Sequence, residues 1–383
     1  MPDARPTQPW IGSAWTDTVF ILLPPFLSLA VIALFPALFQ NTADMPETGW
    51  VALVLLVDVA HVYSTLYRTY FDPEAWKQQG ALLRGIPLGA YAAGVLVYSI
   101  SGPLFWRLLA YIAVFHFVRQ QYGFLRIYSR KESKTGWWAR IDRWAIYGVT
   151  LYPLLWWHLQ GPRHFNWFLD GDFVFVSATG IVPVLNTAYV LLLAVYLFAE
   201  GARTWRQRRL NVPRLALVSG TAASWYFGIV YFNGDMAFTI TNVVSHGIPY
   251  MALVWLYGRK RYVRGGRGPQ FLQYLFKRKG LLAFVGLLFV FAFVEEGLWD
   301  LAVWKEHPSV FGTGRWPQVE LPKEALAFLV PLLALPQLTH YILDGFIWKI
   351  KEEEFRWKKD PEQTPEVRVL VQEKAPESTA AVD

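Results

Sequence analysis

Residues 51–67, VALVLLVDVAHVYSTLY, form an apolar run that carries one carboxylate, Asp58, and one imidazole, His61. About 20 predominantly apolar residues suffice for a helix to cross a bilayer. An ionisable side chain inside such a helix is costly unless it faces the protein interior and finds a partner. The stretch therefore predicts a membrane helix with a functional residue in its middle.

The composition of the whole chain agrees with this interpretation. Of the 383 residues, 54% are hydrophobic and only 17% are charged, whereas soluble domains carry about 25% charged residues. Cysteine is absent, which excludes disulfides, thiolate metal sites and thiol catalysis. We predict an all-α fold, a polytopic integral membrane helical bundle.

Hydropathy and helix length predict about ten transmembrane helices. The third and fifth are short enough to be re-entrant or merged with a neighbour, which makes eight the fallback count. The ten predicted helices cover residues 19–39, 50–71, 86–100, 104–126, 144–159, 182–199, 215–232, 236–257, 281–297 and 325–348.

The basic residues predict the orientation of this bundle. Alternate connections and the tail from residue 349 hold about 27 Lys and Arg, whereas the opposite connections hold about four, and cytoplasmic loops are the basic ones. Both termini are therefore expected to be cytoplasmic, in what we expect to be the cytoplasmic (inner) membrane of a prokaryote. The net charge of +7 then reflects topology, and no nucleic-acid partner is expected.

Three regions follow from this topology. Residues 1–18 are predicted to be a cytoplasmic N-terminal segment, and residues 19–348 the transmembrane helical domain. Residues 349–383 are rich in Glu, Lys and Pro without periodic apolar positions, a composition typical of a largely disordered cytoplasmic tail.

The seven histidines fall into two groups. His158, His164 and His307 lie at or beyond the predicted outer ends of helices, where a solvated imidazole needs no special explanation. The other four each occupy a different helix, about 10 to 15 residues from its start, and these helices run in the same direction. All four imidazoles are therefore expected near one depth at the membrane midplane; they are His61, His116, His246 and His340.

Because a polar group without a partner is costly in hydrocarbon, we expect these imidazoles to share one, and a metal ion is the economical choice. Each imidazole has a carboxylate or amide side chain one helical turn away, which can accept or donate a hydrogen bond and so orient a metal-binding ring. These companions, or additional ligands, are Asp58, Gln120, Asn242 and Asp344. If Asp58 and Asp344 bind directly, the site is large enough for two metals, so the metal count stays open.

Other interpretations of the same residues remain open. The histidines and carboxylates are also compatible with a proton relay in a transporter, or with haem ligation in an electron-transfer subunit. A purely structural role, in which each imidazole hydrogen-bonds a neighbouring helix, is a third possibility.

Four stretches surround these histidines: DVAHVYSTLY around His61, FHFVRQQYG around His116, SHGIPYMALVW around His246 and PQLTHYILDGFIWK around His340. In their sequence and their order along the chain they resemble the Brp/Blh family of integral-membrane carotene dioxygenases. The resemblance implies a His-bound non-haem iron that cleaves a carotenoid. The chain departs from the family pattern where Tyr250 replaces the second His of a paired segment and Gln120 replaces an acidic residue, so the ligand set cannot be copied intact.

The sequence thus predicts a membrane-embedded, O2-dependent non-haem iron oxidoreductase. Iron held by the four midplane histidines, mononuclear or dinuclear, would act on a hydrophobic lipid or isoprenoid-like substrate that enters from the bilayer. Tyr250 and Tyr341, next to the ligands, are expected to line the pocket. An electron donor is a further expected partner.

Overall fold

A computed structural model describes residues 8–39, 45–315 and 320–348. This part of the chain is helical, and no strand occurs among the described residues. The predicted disordered tail at residues 349–383 and the first seven residues of the predicted N-terminal segment lie outside the described residues.

Two pairs of consecutive helices are each bent at a short break: Ala14–Leu22 with Pro24–Leu34 by 54°, and Lys323–Leu333 with Leu335–Ile347 by 41°. The elements are α1 (Ala14–Leu22), α2 (Pro24–Leu34), α3 (Glu47–Tyr67), α4 (Pro73–Ile100), α5 (Gly102–Tyr128), α6 (Trp137–Gln160), α7 (Thr179–Gln207), α8 (Val212–Trp225), α9 (Asp235–Gly258), α10 (Arg278–Trp304), α11 (Lys323–Leu333) and α12 (Leu335–Ile347).

With each bent pair taken as one unit, these elements match the ten predicted helices in order along the described ranges. The third and fifth predicted helices are longer than expected, because α4 begins at Pro73 and α6 at Trp137. The Asp72 side chain accepts a hydrogen bond from the amide of Glu74 and caps α4, which extends the helix through polar turns that hydropathy alone leaves out. α1 likewise starts at Ala14, ahead of the predicted residue 19.

Fewer helices are long and apolar enough to cross a membrane than the ten predicted. In the described ranges four satisfy both criteria, namely α3, α4, α7 and α10, and the two bent pairs raise the number to six. A proline follows each break, Pro24 in the first pair and Pro336 in the second, and proline cannot donate the backbone hydrogen bond that would continue a straight helix. The fold is therefore an all-helical bundle with four to six candidate membrane spans.

Close packing of α9 against α3 positions the centre of the bundle. Gly247 of α9 faces α3, and a Cβ atom there would lie 2.9 Å from Val57 Cγ1, 3.1 Å from the Val57 carbonyl oxygen and 3.4 Å from His61 Nδ1. Only glycine lets the two backbones approach this closely without displacement. α12 packs in turn against α3, α4 and α5, so the four helices that carry the predicted midplane histidines surround one point.

Candidate metal centre

Four histidines from α3, α5, α9 and α12 meet in the interior of the bundle. One ring nitrogen from each lies within 4.8 Å of those of the other three. The residues are 1–4% exposed. This four-histidine cluster consists of His61, His116, His246 and His340, the set that the sequence singled out.

The rings point their nitrogen-bearing edges toward one another. His61 Nε2 lies 3.1 Å from His246 Nε2. The His116 ring centroid is 4.5 Å from that of His340 and 5.0 Å from that of His246. These pairs meet edge to face rather than stacked, with interplanar angles of 67° and 81°. The arrangement leaves the ring nitrogens facing a common centre.

Three nitrogens of the cluster are buried without a hydrogen-bond partner among the described residues: His116 Nε2, His246 Nδ1 and His340 Nε2. A buried polar atom left unpaired costs about 1–3 kcal/mol, so three in one cluster call for an explanation such as an ion that is bound there. Imidazole nitrogens bind transition metals at about 2.0–2.1 Å, so ligands of one ion are about 3–4 Å apart. The spacing of the four nitrogens fits a single ion with slight contraction.

The two carboxylates approach the cluster from outside. Asp58 Oδ1 lies 3.7 Å from His61 Nδ1, while Asp344 Oδ2 lies 3.7 Å from His116 Nδ1 and Asp344 Oδ1 lies 3.9 Å from His340 Nδ1. Each therefore faces the δ nitrogen, and the Nε2 of His116 and of His340 is left unpartnered. Carboxylates on the outer nitrogen orient a ligating imidazole and raise its basicity.

Thr65, Tyr250 and Asp344 form a hydrogen-bonded group beside His340. Thr65 Oγ1 lies 2.7 Å from His340 Nδ1 and 2.9 Å from the Tyr250 hydroxyl. The Tyr250 hydroxyl donates to Asp344 Oδ1 at 2.6 Å. Tyr250 therefore contacts the cluster through hydrogen bonds, in addition to packing its ring edge-on at 4.9 Å from the His340 ring.

The two predicted amide companions take other partners. Gln120 Nε2 donates to the backbone carbonyl of His246 at 2.9 Å, so it ties α5 to α9 instead of orienting the His116 ring. Asn242 Nδ2 donates to the carbonyl of Phe238 at 2.8 Å, within its own helix. The structure thus brings Asp58 and Asp344 to imidazole rings, and it does not do so for Gln120 and Asn242.

Aromatic rings close the cluster on its remaining sides. The Phe117 ring stacks on the His246 imidazole, with centroids 3.5 Å apart and planes 9° from parallel. The Tyr341 ring lies 5.1 Å from His116 and 5.6 Å from His340. Tyr341 thus stands against the histidines, as the sequence predicted for a pocket residue.

Buried acidic residues from α10 approach Asp58. Glu295 is 4% exposed, and its carboxylate interacts electrostatically with Asp58 and Tyr63. The Tyr63 hydroxyl and the Trp299 indole are its hydrogen-bonding neighbours. A second acidic group therefore lies behind the Asp58 side of the cluster.

The remaining histidines lie in other surroundings. His158 Nε2 pairs with the Tyr111 hydroxyl at 2.8 Å, and the His307 ring stacks on Trp50 with centroids 3.8 Å apart. The His164 amide donates to Asn233. Within the described ranges none of the three joins a group of metal-binding side chains.

Thr65, Phe117 and the Val57 carbonyl contact the cluster, the last at 3.3 Å from His61 Nδ1, and none of them is predicted from the sequence. Thr65 stands four residues after His61, so a systematic search one helical turn from each histidine would have found it. Phe117 directly follows His116, and its partner His246 lies in another helix. A contact between separate helices leaves no such signal in one sequence.

Comparison with models of protein families, with curated proteins and with solved structures finds no match to this chain. These comparisons neither support nor oppose the resemblance to the Brp/Blh family. The function is therefore argued from the geometry of the four-histidine cluster.

Proposed function

We propose that the protein is a membrane-embedded non-haem iron oxygenase whose ion is held by His61, His116, His246 and His340. The observation that carries the proposal is the set of three buried ring nitrogens without partners, all within one group of four imidazoles. Neutral imidazole suits iron among other transition metals. Bound iron would supply the redox chemistry with dioxygen.

One ion is favoured over two. Two metals in one site are about 3.5–4 Å apart and need carboxylates between or around them. Both carboxylates near the cluster, Asp58 and Asp344, face the δ nitrogens of the histidines. They are suited to orient imidazoles, which leaves four nitrogen ligands for a single ion.

The spacing also argues against haem. Paired histidine ligands of a haem stand on opposite faces of a broad flat ring. Here four imidazoles from four helices converge within 4.8 Å and occupy the plane that a porphyrin needs. A proton relay remains the second candidate, favoured by the buried carboxylate of Glu295 behind Asp58.

A hydrophobic substrate follows from where the cluster lies. It is enclosed by helices whose outward side chains are apolar, and the His246 ring is covered by Phe117. Such surroundings exclude water and favour lipids or isoprenoid-like molecules that partition into the bilayer. The motif resemblance to Brp/Blh proteins makes carotenoids the first compounds to test.

The test starts with protein purified in mild detergent without chelator. Elemental analysis is expected to give about one iron per chain, and the absorption spectrum no haem band. Oxygen uptake with β-carotene and other apolar isoprenoids is then measured before and after removal of iron. We expect uptake that requires both iron and substrate, with cleavage or hydroxylation products identified by mass spectrometry.

Several outcomes would overturn the proposal. Folded protein with no metal after supply of ferrous iron would favour the relay, and an intense haem spectrum would favour electron transfer. Stoichiometric zinc without oxygen uptake would retain the metal site and exclude the oxygenase. A His116→Gln variant, compared with His158→Gln outside the cluster, ties any signal to the site.

We also propose that ten crossings bring both termini to the cytoplasmic side of a prokaryotic inner membrane. The support is the asymmetry of basic residues between alternate connections. Because the chain has no cysteine, single cysteines can report each side without background. Ser133→Cys is expected to be protected from an impermeant maleimide in intact cells, and Asp170→Cys labelled. The reverse pattern would invert the topology.

A further inference from the structure

We propose that Thr65 is a positioning residue: through a directed hydrogen-bond chain with Tyr250 and Asp344 it fixes the tautomer of His340. The proton is held on Nδ1, and the lone pair of Nε2 faces the centre of the four-histidine cluster. This inference rests on the proposed metal site, because the tautomer matters most where Nε2 must bind an ion.

The chain has one consistent direction, which starts at the carboxylate. Asp344 accepts, so the single hydroxyl proton of Tyr250 is committed to it over 2.6 Å. The Tyr250 oxygen can then only accept on its other side, where Thr65 Oγ1 lies at 2.9 Å and Trp348 Nε1 at 3.4 Å. Tyrosine and threonine hydroxyls each carry one proton.

The Thr65 proton is therefore directed to Tyr250. If it pointed to His340 instead, the two hydroxyl oxygens 2.9 Å apart would face each other without a proton between them. With its proton used, Thr65 Oγ1 accepts from His340 Nδ1 over 2.7 Å. A neutral imidazole with a proton on Nδ1 has its lone pair on Nε2, and His340 Nε2 is one of the buried nitrogens without a partner.

Thr65 belongs to a regular polar layer. The residue four positions after each histidine of the cluster is polar, which places the four one helical turn from the imidazoles. They are Thr65, Gln120, Tyr250 and Asp344. Thr65 lies in α3, but its hydroxyl contacts the imidazole of His340 in α12 and not the imidazole of its own helix. It is 3% exposed. Thr65 thus links α3 and α12, two of the helices that carry the histidines, through a hydrogen bond.

The experiment observes the tautomer directly in the metal-free protein. The full chain is labelled with 15N-histidine and studied by solid-state NMR, where protonated and unprotonated ring nitrogens have well separated shifts. A His340→Gln variant identifies the His340 signals. We expect wild type and Thr65→Ser to show His340 protonated on Nδ1 alone, and Thr65→Val, which keeps the shape but removes the hydroxyl, to show both tautomers.

Tyr250→Phe provides a second test from the other end of the chain. It frees the Thr65 proton to turn toward His340 Nδ1, so the Nε2-protonated tautomer is expected to gain population although Thr65 is intact. Because this variant leaves the Thr65 contact in place, it also serves if Thr65→Val fails to fold.

Metal affinity is the second readout, measured by competition for ferrous iron and Zn²⁺ with a chromophoric chelator. Loss of an outer hydrogen-bond partner costs about 10- to 100-fold in metal affinity, which we expect for Thr65→Val, whereas Thr65→Ser should lie within about threefold of wild type.

A wild-type tautomer in both Thr65→Val and Tyr250→Phe would overturn the positioning role. Tautomer changes as expected in a protein that binds no metal would keep the role of Thr65 and overturn the metal site. Wild-type affinity in Thr65→Val with a changed tautomer would keep the role of Thr65 in fixing the tautomer and overturn its link to metal binding.

Discussion

The four-histidine cluster and a charged cluster near the basic ends of the helices are both buried and polar, yet their hydrogen bonding differs. The charged cluster joins α6, α7, α8 and the connection before α6, and four of its five members are 1–3% exposed. It consists of Glu132, Asp142, Glu200, Arg203 and Arg214.

All six carboxylate oxygens of the charged cluster accept hydrogen bonds. Arg214 Nη2 binds both oxygens of Glu200 at 2.7 and 2.8 Å. Arg203 binds both oxygens of Asp142 at 2.9 and 3.1 Å. Glu132 receives both arginines on one oxygen and the Asn211 amide on the other. Every carboxylate oxygen of this group is paired, whereas Arg203 Nε and Arg214 Nε have no hydrogen-bond partner among the described residues.

The four-histidine cluster lacks that internal balance. Three of its ring nitrogens have no partner in the described chain, and the nearest carboxylate oxygens lie 3.7 Å from His61 Nδ1 and His116 Nδ1. The unpaired Nε atoms of the two arginines are donors that cannot bind a cation, whereas neutral imidazoles offer lone pairs, and four of them meet within 4.8 Å. The comparison thus separates a structural cluster from a binding cluster without reference to any relative.

The largest effect should come from removing one histidine ligand. In His116→Gln we expect bound metal to fall from about one ion per chain to below about a tenth, because a four-ligand site loses a donor that nothing nearby replaces. Elemental analysis measures it. His158→Gln, which alters a histidine paired with Tyr111, should keep its metal, and equal loss in both variants would remove the distinction between the two groups of histidines.

Breaking the charged cluster should lower stability and leave the metal in place. Arg214→Met removes both hydrogen bonds to the buried carboxylate of Glu200 and leaves it only the 3.4 Å contact with Arg203, which is expected to cost about 3 kcal/mol. Unfolding in mixed micelles gives the free energy, and the matched change at the exposed Arg206 should stay within about 0.5 kcal/mol. Metal loss from folded Arg214→Met would show that the two clusters are coupled.

Metal should stabilise the protein only through the four-histidine cluster. At a free metal concentration 100 times Kd, binding is expected to raise the free energy of unfolding by about 2.7 kcal/mol. A chelator titration followed by thermal unfolding checks this. His116→Gln should show no such shift, and a shift that persisted there would place the metal elsewhere.

The smallest effect concerns the ring that covers His246. Phe117→Leu removes an aromatic stack, an interaction of about 0.5–1.5 kcal/mol, so metal affinity should fall about 2- to 12-fold. Phe124→Leu, in the same helix but within another part of the core, should lower stability without changing affinity. Equal affinities in the two variants would leave the Phe117 stack without a role in binding.

Hydropathy predicted the helices, and the positions of four histidines predicted the site. Apolar run length located the apolar part of each helix, because burial of apolar side chains depends on local composition, whereas the polar first turns of α4, which begins at Pro73, were missed. The expectation that His61, His116, His246 and His340 lie together needed only the rise per residue and the helix directions given by the basic residues. Both are one-dimensional properties of the chain.

The rest depends on which helices become neighbours. Asp344 was assigned to His340 by spacing, but it also reaches His116 on another helix. Gln120 binds the backbone of α9, and Arg214 finds Glu132, 82 residues away in sequence. Such contacts are set by rotation and packing of whole helices, which periodicity within one helix does not encode. The helix bends before Pro24 and Pro336 likewise change which helix faces meet.

Gly247 has a consequence for how this protein can be altered. Glycine matters here because it has no Cβ atom. A side chain at this position would push α3, and His61 with it, away from α9. In a library of variants selected for folded protein, replacements at this position should be strongly depleted although it carries no chemical group.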